Sequence, residues 1–168
     1  MPDYADRLTR TRDRIKRGQF DPVYVLLGDD GRAADELIRL LKRKLVAPGL
    51  EPFDLVDCHA ADLPVQQALQ EMRQPPVGSS RRLVVLRAAE ELKEPDFAAL
   101  CAGLARLPPD GGIAVLVCRW SREMADAVAR AGMGRFVVNL KPPQGGELAA
   151  RIRGWAVELG IDISPDGV

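Results

Sequence analysis

Apolar residues fall along the chain in two alternating rhythms. Three unbroken runs, Val23-Tyr24-Val25-Leu26-Leu27, Leu83-Val84-Val85-Leu86 and Ile113-Ala114-Val115-Leu116-Val117-Cys118, are short and rich in β-branched residues. They read as strands buried on both faces. Phe53-Asp54-Leu55-Val56-Asp57-Cys58 and Phe136-Val137-Val138 supply two further strands. Between them the apolar positions take helical spacing. Residues 32–46 carry Leu37, Ile38, Leu40, Leu41 and Leu45 before Pro48-Gly49 stops the pattern. Residues 64–72, 96–105 and 122–130 read as further helices. Residues 3–17 hold Leu8 and Ile15 in a field of alternating charge, with Asp6 and Arg10 at i,i+4 spacing, and predict an exposed N-terminal helix ending at Gly18.

Strands that alternate with helices predict an α/β fold: a five-stranded parallel sheet with helices on both faces, since parallel strands need long right-handed crossovers. Lys141-Pro142-Pro143-Gln144-Gly145-Gly146 breaks the pattern, and Leu148, Ile152, Trp155 and Leu159 then make residues 147–159 amphipathic. The expected organisation is a sheet domain over 1–141, with 1–18 as its exposed helix. Residues 142–168 form a hinge and the first helix of a second domain that the chain does not complete.

Composition narrows the picture mainly by exclusion. The 168 residues include 24 basic and 24 acidic side chains, so no global field draws the protein to nucleic acid or an acidic membrane. Cys58, Cys101 and Cys118 have unrelated spacings and one histidine for company, which encodes neither a disulfide framework nor a zinc site. With no apolar leader and no membrane-length run, the expected location is cytoplasmic.

A phosphate loop belongs after the first strand, at Gly28-Asp29-Asp30-Gly31. The positions that need a second glycine, a lysine and a hydroxyl residue hold Ala33, Ala34 and Asp35 instead, and the GxGxxG fingerprint fails as well. The third strand is followed by Arg87-Ala88-Ala89 where an ATPase places the acids that hold magnesium. The nucleotide site is therefore read as degenerate and no cofactor is expected. His59, beside Asp57 and Cys58, suggests a triad that strand geometry forbids, because neighbours on a strand face opposite ways. Arg81, Arg82, Arg87, Arg119 and Arg122 read as a local basic patch or as a solvated rim, with Arg81-Arg82 available to support the adjoining loop.

That loop is Gln74-Pro75-Pro76-Val77-Gly78-Ser79-Ser80-Arg81-Arg82. Two prolines stiffen it, Gly78 permits a reversal, and Val77 is an apolar tip in a segment that would ordinarily be polar. Val77 either anchors a partner or folds inward as a core residue.

In order and spacing, residues 22–30, the Pro-Pro-Val-Gly-Ser-Ser-Arg-Arg segment with its strand, and the Trp155-to-Pro165 tail resemble the delta subunit of the bacterial DNA polymerase III clamp loader. The loop form is most similar to cyanobacterial-type members, and the resemblance covers nearly the whole chain. It implies an AAA+-type sheet domain that neither binds nor hydrolyses ATP, and so no enzyme on its own although part of a polymerase holoenzyme. It implies contact with the sliding clamp through Pro76, Val77 and Gly78, with Pro75 stiffening the approach. It further implies a hetero-oligomer with other loader subunits, primer-template DNA reached indirectly, no membrane, and a longer chain with a helical second domain and collar. Valine stands where phenylalanine is common in that family. The alternatives are a P-loop ATPase and a nucleic-acid-binding α/β domain.

Overall fold

The computed structural model describes residues 4–141 and 145–161. Its helices are α1 (Tyr4–Lys16), α2 (Gly31–Leu45), α3 (Glu51–Asp54), α4 (Val65–Arg73), α5 (Glu94–Leu104), α6 (Arg122–Arg130) and α7 (Gly146–Leu159). Its strands are β1 (Val23–Gly28), β2 (Leu55–His59), β3 (Leu83–Arg87), β4 (Ile113–Cys118) and β5 (Val137–Leu140). The five strands form one sheet in the order β2-β3-β4-β1-β5, and every pairing is parallel. At the centre, Val25 lies opposite Leu116 on one side and Val137 on the other.

Alternation along each strand divides the core in two. Val23, Val25, Val84, Leu86, Ala114 and Leu116 pack with Leu69 and Met72 of α4, Phe97 and Leu104 of α5 and Val128 of α6. Tyr24, Leu26, Leu83, Val85, Ile113 and Val115 face the other way, onto Leu37, Ile38, Leu41 and Leu45 of α2 and Ile15 of α1. The result is three layers, with α1 and α2 on one face and α4, α5 and α6 on the other. Each fully buried aliphatic side chain contributes about 1.5–3 kcal/mol of transfer free energy.

Two expectations change. The exposed N-terminal helix forms, but Ile15 on it is fully buried and Leu8 packs at the core's edge, so α1 is docked by a narrow apolar stripe. Phe53 and Asp54 are not strand residues; they close α3, and β2 begins one residue later. Glu51 and Pro52 start that short helix, Pro at an early helical position and an acid in the first turn being standard helix-starting chemistry. Of the expected hinge, residues 142–144 lie outside the described residues, as do 162–168 at the end. Helix α7 follows Gly145 and ends at Gly160, whose φ of +67° suits a glycine C-cap.

Because the sheet is all parallel, its two edges are chemically distinct. The ends of β1, β3 and β4 share one edge with the Gly28 turn and Arg87. The segments that enter β2, β3 and β4 share the other, and they bring Asp54, the proline loop and residues 108–112 together.

Candidate protein-binding site

The carboxyl edge of a parallel sheet is where α/β proteins bind nucleotides, and here that edge is occupied by the chain itself. Gly28 has φ +148°, and a Cβ on it would lie 1.9 Å from the Leu140 carbonyl oxygen. The Asp29 and Asp30 amides, which would cradle a phosphate in a P-loop, donate to that same oxygen at 3.0 and 3.3 Å. The Asp30 carboxylate caps α2 by accepting from the Ala33 amide at 3.0 Å.

Arg87 fills the place next to β3. Its Nε and Nη2 donate to Asp57 at 2.6 and 3.1 Å, and Nη1 donates to Asp35 at 2.8 Å. Asp57 is thus turned toward Arg87, and the imagined Asp57-Cys58-His59 triad does not assemble. Burial raises the Cys58 thiol pKa, with Asp62 and Asp57 adding to it. Burial alone pushes Cys101 up to about 12, and burial with Glu90 nearby does the same to Cys118. None is a ready thiolate nucleophile.

At the opposite edge, the Asp54 side chain is fully buried. Its Oδ1 accepts the Val77 amide at 2.6 Å, and Oδ2 accepts the amides of Gly78 and Ser79 at 3.2 and 3.0 Å. Burial opposes ionisation of this carboxyl, but the amides and the Ser79 hydroxyl outweigh it and hold the pKa down to about 2. An ionised carboxylate that gathers three consecutive N–H groups fixes the backbone of the loop tip as a unit.

The two serines complete the frame against the end of α2. Ser79 Oγ accepts the Ala47 amide at 2.9 Å. Ser80 donates twice to the Leu45 carbonyl, from its amide at 3.1 Å and its hydroxyl at 2.9 Å. Leu45 ends α2, so these bonds satisfy one of the carbonyls that every helix leaves open at its C-terminus. Arg82, almost wholly buried, donates to the Phe53 carbonyl at 2.5 Å and pairs with Glu71 of α4. Arg81 donates to the Pro109 carbonyl at 2.5 Å. The arginine pair therefore supports the loop, as one of its two sequence readings held. Arg87 is paired away at the far edge and Arg119 lies 3.6 Å from Glu90, so the five arginines do not converge on one patch.

The geometry gives Val77 an outward direction. With its amide held inward by Asp54, the side chain is 68% exposed, and Phe53 beside Asp54 is 55% exposed. Pro75 and Gly78 are exposed and Pro76 is half-buried; a cleft of about 330 Å³ runs behind the prolines, floored by Met72 and bounded by Pro108 and Gly111. Gly78 does not serve a left-handed turn, since it is absent from the residues with positive φ. A Cβ there would meet only the Leu50 Cδ1 methyl, at 2.7 Å, the end of a side chain that can turn aside.

Sequence reasoning singled out Pro75, Pro76, Val77 and Gly78 and did not single out Asp54 or Phe53. The available signal was Glu51-Pro52 after Pro48-Gly49, which starts a helix and so takes the next two residues out of the strand.

These features define an α/β fold, a five-stranded all-parallel sheet between layers of helices, that two solved structures share. The Bacillus subtilis DNA clamp loader delta protein superposes with a TM-score of 0.71 over 90% of this chain and 46% of that one, at 20% identity. A DNA polymerase III gamma subunit-related protein from Thermotoga maritima superposes with a TM-score of 0.58 over 92% of this chain and 53% of that one, at 14% identity. The chain thus spans about half the length of these structures. No family model matches the sequence, and no curated protein matches it.

Proposed function

We propose that this chain is the sheet domain of a clamp-loader delta subunit, and that it acts in DNA replication by seating the loop of Pro75, Pro76, Val77 and Gly78 in an apolar pocket of the sliding clamp. The observation that carries the reading is the Asp54 anchor: three consecutive amides are held inward by a buried carboxylate, which leaves Val77 projecting from a rigid support. A preordered apolar anchor binds without the entropy cost of ordering a loop. Phe53, next to Asp54 in the chain and exposed, offers an aromatic side chain where Val77 is aliphatic.

Within this reading the domain works without nucleotide hydrolysis of its own. The lysine of a phosphate loop is missing, the turn amides are spent on Leu140, and Arg87 with its two carboxylates stands where magnesium would be held. The subunit would act in the cytoplasm as one member of a hetero-oligomeric loader whose motion helps open the ring, with primer-template DNA engaged by the assembly. Residues 142–168 would begin a second, helical domain. No helix among the described residues is long and apolar enough to cross a membrane. The test is co-elution of the purified chain with the clamp encoded in the same genome: a comigrating complex supports the reading, and independent elution at micromolar concentrations of both contradicts it.

A further inference from the structure

On the side of the sheet away from β2, β5 is the outermost strand: it pairs with β1, and no described strand pairs with its other flank. An unpaired flank presents a row of backbone N–H and C=O groups that another chain can complete. Helix α1 packs against β5, and a cavity of about 310 Å³ opens between them. Four guanidinium groups line it, from Arg7, Arg10 and Arg14 on α1 and Arg135 just before β5, against one carboxylate, Asp21. That carboxylate is already engaged, since Arg14 donates to it at 2.9 and 3.1 Å. Among the described residues Arg7 and Arg135 make no ion pair, and both are exposed. Arg7 instead donates to the Arg135 carbonyl at 2.6 Å, which holds its charge where the chain enters β5.

We infer that this flank is a docking site for an acidic, extended segment of a partner protein, which adds to β5 as a further strand of the sheet. Alternation along β5 sets what each face of the added strand meets. Val138 and Leu140 face the layer of α1, whereas Phe136 and Val137 pack with the opposite layer. Side chains of the added strand therefore point by turns toward the arginines of α1 and toward the surface beside Val137. Alternate positions on a strand are about 6.6 Å apart, and Arg7, Arg10 and Arg14 rise along α1 in steps of about 4.5 and 6 Å. A segment with acids at every second position thus keeps near step with the guanidiniums, each able to hold a carboxylate by two hydrogen bonds. Apolar residues at the positions between cover Val137. A nucleic acid fits less well. Its backbone carries no N–H to meet the β5 carbonyls, and the Phe136 ring that could stack a base has the Arg135 guanidinium 4.6 Å from its centre. The surface lies on α1 and β5, apart from the Val77 loop, and does not depend on clamp binding.

The experiment is fluorescence anisotropy of the full chain with a labelled peptide of alternating glutamate and valine, about ten residues long so that it spans the whole of β5. Saturable binding is expected, and the outward amide protons of β5 should slow in hydrogen exchange when the peptide is bound. The same peptide methylated at every backbone nitrogen keeps its charge but loses its donors, and should bind at least about tenfold more weakly. Arg135→Glu should weaken binding about fivefold and Arg7→Glu/Arg135→Glu at least about tenfold, since each change removes an attraction and adds a repulsion. The milder Arg135→Ala should weaken it about threefold while its circular dichroism melt stays that of the wild type, because the side chain is exposed. Arg122→Glu, at an exposed arginine of α6 across the sheet, should bind the peptide as the wild type does. The inference is overturned by no binding of the glutamate peptide at about 1 mM, by equal binding of a lysine-valine peptide or of the methylated one, or by equal binding in Arg7→Glu/Arg135→Glu. An oligonucleotide of equal charge that binds more tightly than the peptide, and loses that binding in Arg7→Glu/Arg135→Glu, would overturn it as well.

Discussion

Val77 and Asp54 divide the work of the loop between them, one facing outward and the other holding the backbone in. Replacing Val77 with alanine removes exposed surface only, so the melting temperature should not move. If a partner buries that side chain fully, the same change should weaken binding about tenfold, the affinity equivalent of about 1.5 kcal/mol. Asp54→Asn keeps the shape but loses the charge, and its NH₂ end cannot accept from an amide. We expect it to weaken clamp binding by a similar factor without touching the contact surface. The pH dependence has a definite sign. The Asp54 pKa falls from 3.8 to about 2 on folding, so its stabilisation is complete above about pH 5 and is lost as pH falls from about 4 to 2. In the folded protein the amide resonances of Val77, Gly78 and Ser79 should titrate around pH 2 in the wild type and not in Asp54→Asn. At the other edge, Gly28→Ala would place its Cβ into the Leu140 carbonyl and should cost about 3 kcal/mol in denaturant unfolding.

The strands and long helices were legible in the sequence because their apolar period is set by burial against the neighbouring layer. β4 and α6 have the predicted ends, and most other ends shift by one or two residues. The candidate site was legible only in part. Val77 stood out as an apolar residue between turn formers, yet nothing local says whether such a residue points in or out; a carboxylate on another element, more than twenty residues away in sequence, decides it. Phe53 and Asp54 read as strand because aromatic-polar alternation continues smoothly into Leu55, whereas the proline before them has already begun a turn of helix. The supporting arginine gives a prediction at this scale. Arg82→Ala breaks a largely buried pair with Glu71 and frees the Phe53 carbonyl, so it should cost about 3 kcal/mol of stability. It should weaken clamp binding as well, which separates a supporting residue from a contacting one such as Val77.

For the whole molecule, the parallel sheet offers two edges, and the chain has closed the one that usually binds nucleotide while building a rigid projection on the other. A ligand held at a hundred times its dissociation constant stabilises a protein by about 2.7 kcal/mol. Millimolar Mg-ATP should therefore leave the thermal unfolding midpoint unchanged, and a clear upward shift would restore the ATPase reading. The central claim is that Val77, held outward by Asp54, is the point of contact with a sliding clamp. Surface plasmon resonance on the immobilised cognate clamp tests it most directly, comparing wild type with Val77→Asp, whose melt should match the wild type because the side chain is exposed. Wild type is expected to bind and Val77→Asp is not; equal binding by both would contradict the claim.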